Sequence, residues 1–172
     1  MTPAPVTLCF LLDETSGDGH LVLLGLKKTG FGAGKIVGIG GHVEPGESVA
    51  QAAAREVFEE CSVIVREEHL QPVGSILFTF PTKPEWDMDT TLFTARHWEG
   101  TPTETHEISP QWFDINELPF SQMWEDARHW LPAALDGEVK RLEVRLKEDH
   151  QSVDSVTNLG PSNPEPGVHT DI

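Results

Sequence analysis

The chain has 172 residues, 38% of them hydrophobic, which favours one globular domain with a well-formed core. Its charge is lopsided, with 12 Lys and Arg against 28 Asp and Glu and a formal net charge of −16. A chain this acidic repels phosphodiester backbones, so the composition argues against a nucleic-acid polymer as partner. A small phosphorylated ligand stays compatible with the charge if divalent cations accompany it.

The two cysteines, Cys9 and Cys61, form neither a disulfide framework nor a metal-binding spacing. This usage favours a reducing, cytoplasmic compartment. The first apolar run ends at Asp13, so it predicts a buried strand rather than a membrane span. The sequence gives no indication of the oligomeric state.

Hydrophobic patterning predicts strands mixed with helices. Two antiparallel strands, 6–12 and 20–26, are expected to flank a turn at 14–19, and a glycine-rich loop at 27–41 leads to a helix at 48–61. Further strands are expected at 62–65, 72–80, 89–98 and 111–114, before a second helix from an N-cap at Ser121 to residue 134. This order predicts an α/β (α+β) fold in residues 1–136, with a mixed β-sheet sandwiched between helices.

The remaining residues differ in composition from this domain. Residues 137–150 are expected to form one more exposed helix. Residues 151–172 are rich in Pro, Ser, Asn and Gly, which predicts a disordered tail.

The first predicted helix carries three glutamates close together. At 100° per residue, Glu56, Glu59 and Glu60 share an arc of roughly 100°. The core face is expected to hold Ala50, Ala54, Val57, Phe58 and Cys61, whereas the acidic arc carries only small residues upstream, at positions 49, 52 and 53. The prediction is a helix with one apolar side and one acidic side.

An ordinary solvated helix face is the simplest interpretation of such a charge run. However, like charges at these spacings, near the negative end of the helix dipole, each cost a few tenths of a kcal/mol or more. A hard divalent cation removes this conflict, because Mg²⁺ binds carboxylate oxygens and keeps waters for a phosphate ligand. A metal site is therefore the favoured interpretation.

These residues also match a known pattern. Gly41, Glu47 and the run Arg55-Glu56-Val57-Phe58-Glu59-Glu60-Cys61-Ser62-Val63 resemble the Nudix box of the Nudix hydrolases. Every charged position of the box matches at the right spacing, and a match of this length is specific. The single departure is Ser62, where the family usually has Gly, and this is expected to alter the helix end rather than the chemistry.

The resemblance implies a role for each matched residue. Glu56, Glu59, Glu60 and the Gly40 carbonyl would hold Mg²⁺ or Mn²⁺, and Gly41 would lie where the phosphates approach. Arg55 would orient the carboxylates, and Glu47 would brace Arg55. A metal-activated water would then attack a diphosphate linkage, with either Glu59 or Glu56 as general base.

The similarity to the MutT-like branch of the family extends over residues 6–132 and implies an oxidised purine nucleoside triphosphate, such as 8-oxo-dGTP, as the lead substrate. Lys27 would contact the nucleotide, Trp124 would stack on the base and Asp126 would bind its edge. Glu107 is either a further metal ligand or an ordinary solvated carboxylate. Val37 and Ala127 replace an Asn and an Asp of such relatives, and apolar side chains cannot supply the hydrogen bonds that select an oxidised guanine.

Three functions follow from these observations. The first is metal-dependent hydrolysis of a nucleoside triphosphate to the monophosphate and pyrophosphate. The second is hydrolysis of another diphosphate-linked metabolite, and the third is a Nudix-like binding module without catalysis.

A P-loop is rejected because FGAGK (31–35) lacks the length and the ending of that motif.

Overall fold

A computed structural model describes residues 2–15, 20–138 and 140–161, so the predicted turn at 14–19 lies largely outside the described residues. Within these ranges the chain forms two α-helices, α1 (Val49–Cys61) and α2 (Ala127–Leu135), and nine strands. The strands are β1 (Ala4–Asp13), β2 (Leu21–Lys27), β3 (Ile36–Val37), β4 (Ile39–His42), β5 (Gln71–Thr79), β6 (Met88–Ala95), β7 (Ile108–Asp114), β8 (Lys140–Leu146) and β9 (Val153–Asn158).

The strands form one mixed sheet in the order β3-β2-β1-β6-β5-β8-β9, with β4 paired to β1 and β7 paired to β2. β1 runs parallel to β6 and β5 runs parallel to β8, while the other pairings are antiparallel. The predicted mixed sheet is confirmed.

Alternation along β1 divides the core between the two helices. Cys9 and Leu11 belong to a buried cluster that includes Ala53 and Val57 of α1. Side chains from alternate positions, such as Phe10, belong to a second cluster, the α2-side cluster, that contains all five buried residues of α2. Because successive side chains of a strand point to opposite faces, the two helices cover opposite faces of the sheet. This confirms the predicted sandwich.

The region after α2 corrects two predictions. Residues 140–146 form strand β8 rather than part of an exposed helix, because Leu142, Val144 and Leu146 alternate with charged residues at the period of a strand. Val144 and Leu146 are buried in the α2-side cluster. β9 pairs antiparallel with β8, so residues 153–158 of the predicted disordered tail are ordered, and residues 162–172 lie outside the described residues.

The predicted strand at 62–65 and the predicted start of the second helix are also wrong. Residues 62–65 make only an isolated bridge, between Ile64 and Glu99. α2 begins at Ala127 with Asp126 as its N-cap, whereas Ser121 lies in a short 3₁₀ turn at Phe120–Gln122. Met123 is extended after this turn, so the helix starts later than the N-cap preference of serine indicates.

Candidate active site

The two glycines of β4 allow close packing on two sides, Gly40 against the backbone of β1 and Gly41 against Glu56 of α1. A Cβ atom on Gly40 would lie 1.8 Å from the carbonyl oxygen of Thr7, and one on Gly41 would lie 2.6 Å from Oε1 of Glu56. Gly40 therefore requires glycine, because its neighbour is backbone, whereas a side chain at Gly41 would displace the Glu56 carboxylate. The absence of side chains leaves the space that the Glu56 carboxylate occupies.

The three glutamates of α1 are not equally exposed. The Glu56 side chain is 14% exposed and that of Glu59 is 53% exposed. Glu60 accepts a hydrogen bond from the backbone N–H of Gly40 at 3.2 Å. Two carboxylates thus face β4, and Glu59 faces outward.

The predicted division of α1 into an apolar and an acidic side is therefore wrong in part. Ala52 and Ala53, expected on the acidic arc, are fully buried, whereas Phe58, expected in the core, is exposed. The buried arc of the helix is rotated towards Glu56 and Glu60, because Gly41 leaves room for the Glu56 carboxylate and the Gly40 N–H binds that of Glu60. Val57 and Cys61 are buried as predicted.

Arg55 connects the loop before α1 to the carboxylates. Its Nε donates to Glu47 Oε2 at 2.8 Å and its Nη2 donates to Glu47 Oε1 at 2.9 Å, which gives a bidentate pair. Its Nη1 donates to Glu56 at 3.0 Å and to Glu59 at 3.1 Å, and its Nη2 also donates to the His42 carbonyl. The hydrogen bond to Arg55 lowers the pKa of Glu47, and the one to Glu47 raises the pKa of Arg55. Arg55 thus fixes two of the three carboxylates.

Burial and mutual repulsion make the inner carboxylates costly to ionise. Burial raises the pKa of Glu60 to about 8, with a further contribution from the charge of Glu56. Burial is also the main cause that raises the pKa of Glu56, and it outweighs the hydrogen bond from Arg55. Such a pair is stabilised by a nearby cation, which favours the ionised forms.

The donor chemistry of this site suits a hard divalent cation. Among the side chains of residues 2–15, 20–138 and 140–161, no three His, Cys, Asp or Glu already meet as a metal cage. Mg²⁺ needs no such cage, because it commonly takes one or two carboxylates and keeps several waters. Glu56 and Glu60 supply two partly desolvated carboxylates beside the Gly40 backbone, so the residues fit the ion.

Lys27 and Glu107 lie near the same carboxylates. The positive charge of Lys27, at the end of β2, partly offsets the rise in the pKa of Glu60. The negative charge of Glu107 adds to the rise in the pKa values of both Glu56 and Glu60. Glu107 itself is exposed and precedes β7. The structure therefore places both residues close enough to act on the carboxylates electrostatically.

An aromatic group lies at the other end of the glycine-rich loop. Phe31 stacks on Trp124, with ring centroids 5.3 Å apart and an interplanar angle of 17°. The Lys35 Nζ lies 5.0 Å from the centroid of a Trp124 ring. Beside Trp124 runs an open groove of about 440 Å³, whose lining includes Lys35, Phe120, Glu125, Arg128 and Ser152.

The predicted base-reading residues are only partly brought together. Asp126 precedes α2 near Trp124, but its Oδ2 accepts a hydrogen bond from Trp130 Nε1 at 2.8 Å, and burial raises its pKa. Val37 packs against the α1-side cluster, whereas Ala127 is buried in the α2-side cluster. The two apolar replacements thus belong to different cores.

Phe31 and Lys35 were not predicted as site residues. Both lie in the FGAGK stretch, which sequence reasoning tested only as a P-loop. The signal in the sequence is an aromatic residue placed between two glycines, which is typical of a loop that presents its side chain to a ligand.

The sequence that forms this fold and site matches a known protein family. A family model described as NUDIX domain matches residues 2–134, so the chain belongs to the NUDIX family and is a Nudix hydrolase. Members of this family generally use a divalent metal ion and act on small nucleotide substrates.

Curated relatives carry a more specific description. The chain is 50% identical over 114 residues to the oxidized purine nucleoside triphosphate hydrolase of Danio rerio. It is 46% identical over 114 residues to the protein of the same description from Mus musculus. Each alignment covers 66% of this chain and 71% of the relative.

Solved structures support the fold. A MutT protein from Bacillus halodurans matches with a TM-score of 0.74 at 21% identity, over 91% of this chain and 97% of that chain. A MutT Nudix hydrolase from Burkholderia pseudomallei matches with a TM-score of 0.58 at 21% identity, over 69% of this chain and 88% of that chain. Among the described residues, no helix has the length and apolar character that a membrane span requires.

Proposed function

We propose that this chain hydrolyses nucleoside triphosphates to the monophosphate and pyrophosphate, with an oxidised purine nucleotide such as 8-oxo-dGTP as the lead substrate. The observation that carries the proposal is the carboxylate pair Glu56 and Glu60, held against Gly41 and Gly40, with Glu56 oriented by Arg55 and Glu60 by the Gly40 N–H. The description of the two curated relatives supports the same reaction.

Glu56 and Glu60 are the residues that would hold Mg²⁺ or Mn²⁺, beside the Gly40 backbone. When bound, the ion would neutralise charge on the phosphates and lower the pKa of the attacking water. Lys27 contributes a cation on the same side and orients the phosphates. Arg55, paired with Glu47, keeps Glu56 and Glu59 at fixed positions. Either Glu59 or Glu56 accepts the proton of the water.

Stacking dominates recognition of the base in this proposal. Phe31 covers one face of the Trp124 ring and the base stacks on the other, and such stacking is worth about 1–3 kcal/mol with little dependence on base identity. Asp126 supplies one hydrogen-bonding edge through the oxygen that Trp130 does not use. The acidic chain, with its formal charge of −16, favours free nucleotides over a nucleic-acid polymer.

A second candidate is another diphosphate-linked metabolite. It is favoured by Val37 and Ala127, which lack the polar groups that discriminate oxidised guanine. The cytoplasmic location stays a prediction that depends on the two free cysteines, both of which are buried.

The test is pyrophosphate and phosphate release over a panel of normal and oxidised nucleoside triphosphates and diphosphate-linked metabolites, with Mg²⁺ or Mn²⁺. We expect the highest kcat/KM on a purine triphosphate, with pyrophosphate as product. Glu59→Gln is expected to lower kcat, whereas the exposed Glu104→Gln is the matched control and is expected to leave it unchanged. Fastest turnover of a non-nucleotide would replace the first candidate by the second, and full activity of Glu59→Gln would exclude Glu59 as the base.

A further inference from the structure

Trp86 lies at the centre of an aromatic group that reaches from the base site to the β8–β9 turn. Its ring centroid is 6.1 Å from that of Phe31, which in turn stacks on Trp124. The His150 ring packs against the other side of the group, 4.9 Å from Trp86 and 6.1 Å from Phe80. Trp86 thus connects the base site to the C-terminal hairpin.

His150 is held in an unusual backbone conformation. It has a φ of 61°, a region that residues other than glycine seldom adopt, and its N–H donates to the Lys147 carbonyl. Its Nε2 is 2.9 Å from Oγ1 of Thr82, next to the short turn that carries Trp86. A strained residue persists only where its surroundings fix it, and such residues are frequent at functional sites. His150 also lies beyond residues 2–134, the range that the family model matches.

Ring contacts help to position Phe31, in addition to the backbone hydrogen bonds of its turn, in which the Ala33 N–H donates to the Gly30 carbonyl. Phe31 is 68% exposed and lies between Gly30 and Gly32, which have φ values of 73° and 86°. Glycines confine a loop less than other residues do. The rings that contact Phe31 are Trp124 and Trp86, so loss of Trp86 leaves Phe31 with fewer contacts that hold it over Trp124.

We propose that Trp86, fixed in place by His150, is a positioning residue that holds Phe31 against one face of Trp124 and so keeps the opposite face of that ring in place for the base. This inference rests on the proposed nucleotide hydrolysis and assigns part of the substrate affinity to the C-terminal hairpin. Two lysines accompany the aromatic group, because Lys83 Nζ lies 4.6 Å from a Trp86 ring centroid and Lys35 lies over Trp124. The group therefore presents a cationic, aromatic surface that suits a flat base on a phosphorylated ligand.

The test compares KM with kcat in single variants of the full chain. Trp86→Leu removes the ring, and His150→Asn removes the imidazole while keeping a residue that tolerates a positive φ. Trp112→Leu is the matched control, because Trp112 is 36% exposed against 39% for Trp86 and also stacks on another tryptophan, Trp98.

We expect Trp86→Leu and His150→Asn to raise KM for purine triphosphates about 2- to 10-fold, the equivalent of one aromatic pair, with kcat nearly unchanged. Pyrimidine triphosphates, which have a smaller ring to stack, are expected to show a smaller rise. Trp86→Phe is expected to restore most of the wild-type KM, and Trp112→Leu to match the wild type.

An unchanged KM in both variants would overturn the inference, and so would an equal rise in Trp112→Leu. A fall in kcat at constant KM would assign a merely structural role to Trp86 and would overturn it as well. Failure of the proposed function looks different, because the wild type itself would then turn over no nucleoside triphosphate on the panel.

Discussion

The carboxylate end and the base end of the site are built in different ways. At the carboxylate end, Gly40, Glu47 and the three glutamates of α1 lie within one short stretch of chain. Arg55 binds Glu47, Glu56 and Glu59, and the Gly40 N–H binds Glu60. The base end combines the glycine-rich loop, the turn around Trp86, the segment before α2 and the β8–β9 turn. The geometry of the carboxylate end follows from the spacing of residues close together in the chain, whereas that of the base end depends on packing between distant segments.

The largest effect is expected at the carboxylate end, from Glu60→Gln. This change removes one of two inward carboxylates while keeping the acceptor for the Gly40 N–H. We expect kcat/KM to fall about 10²- to 10³-fold, the loss typical of one electrostatic group in an active site. Steady-state kinetics with saturating Mg²⁺ measures this, and Glu104→Gln is the surface control. Activity within a few-fold of wild type would mean that Glu60 does not hold the metal.

Arg55→Lys tests whether the fork geometry of Arg55 matters beyond its charge. Lysine keeps the charge but cannot form the bidentate pair with Glu47 together with the bonds to Glu56 and Glu59. We expect metal affinity to fall about 10- to 100-fold, as for other residues that orient metal ligands. Titration of activity with Mg²⁺ measures the shift, and an unchanged midpoint would contradict it.

The stability of the metal-free protein is expected to depend on pH through Glu60. Its pKa is raised from 4.5 to about 8 in the folded state, mainly by burial, so the folded protein holds this proton more tightly than the unfolded chain. Stability is therefore lost as pH rises from about 4.5 towards 8. We expect the Tm in EDTA to fall over this range, less steeply in Glu60→Gln, and Mg²⁺ to restore it at pH 8. An equal slope in both proteins would exclude Glu60 as the cause.

The contrast between the carboxylate end and the base end also explains which features could be predicted from the sequence and which could not. The Glu47–Arg55 pair and the start of α1 next to Ser48 are present as expected, because both depend on residues a few positions apart. The inward rotation of Glu56 and Glu60 was missed, since it depends on another element, in which Gly41 leaves room for Glu56 and the Gly40 N–H binds Glu60. β8 was missed because Lys, Arg and Glu are common on helices, although Leu142, Val144 and Leu146 alternate as in a strand. The partner of Trp124, Phe31, is almost a hundred positions away in the chain, and periodicity carries no information at that range.

At the base end, two variants of Asp126 separate packing from recognition. Asp126→Ala removes the acceptor of Trp130 Nε1 in a site where burial raises the carboxyl pKa. We expect it to cost about 1–2 kcal/mol of unfolding free energy, because a buried donor loses its partner. Asp126→Asn keeps an acceptor and is expected to cost less.

Urea unfolding measures the stability of both variants, and kcat/KM for a purine triphosphate measures recognition. If Asp126 binds the base edge, Asp126→Asn lowers kcat/KM although it is nearly as stable as the wild type. If kcat/KM follows stability alone, Asp126 only supports Trp130.

The smallest effect is expected at Ser62, the single departure from the Nudix box. Ser62 ends α1 in the left-handed conformation, with φ 62° and ψ 27°, and its N–H donates to the Phe58 carbonyl. Glycine adopts this conformation without the strain of a Cβ atom but loses more entropy on folding, so we expect Ser62→Gly to gain about 0.5–1 kcal/mol. This corresponds to a rise in Tm of about 1–4 °C, measured by calorimetry, with kcat/KM unchanged.

Ser62→Ala is the control, because it removes the hydroxyl and keeps the Cβ. An equal gain in that variant would assign the effect to the hydroxyl rather than to the backbone. A change in kcat/KM with Ser62→Gly would instead mean that the end of α1 sets the positions of Glu59 and Glu60, so that the carboxylate end is less rigid than its bonds to Arg55 and Gly40 indicate.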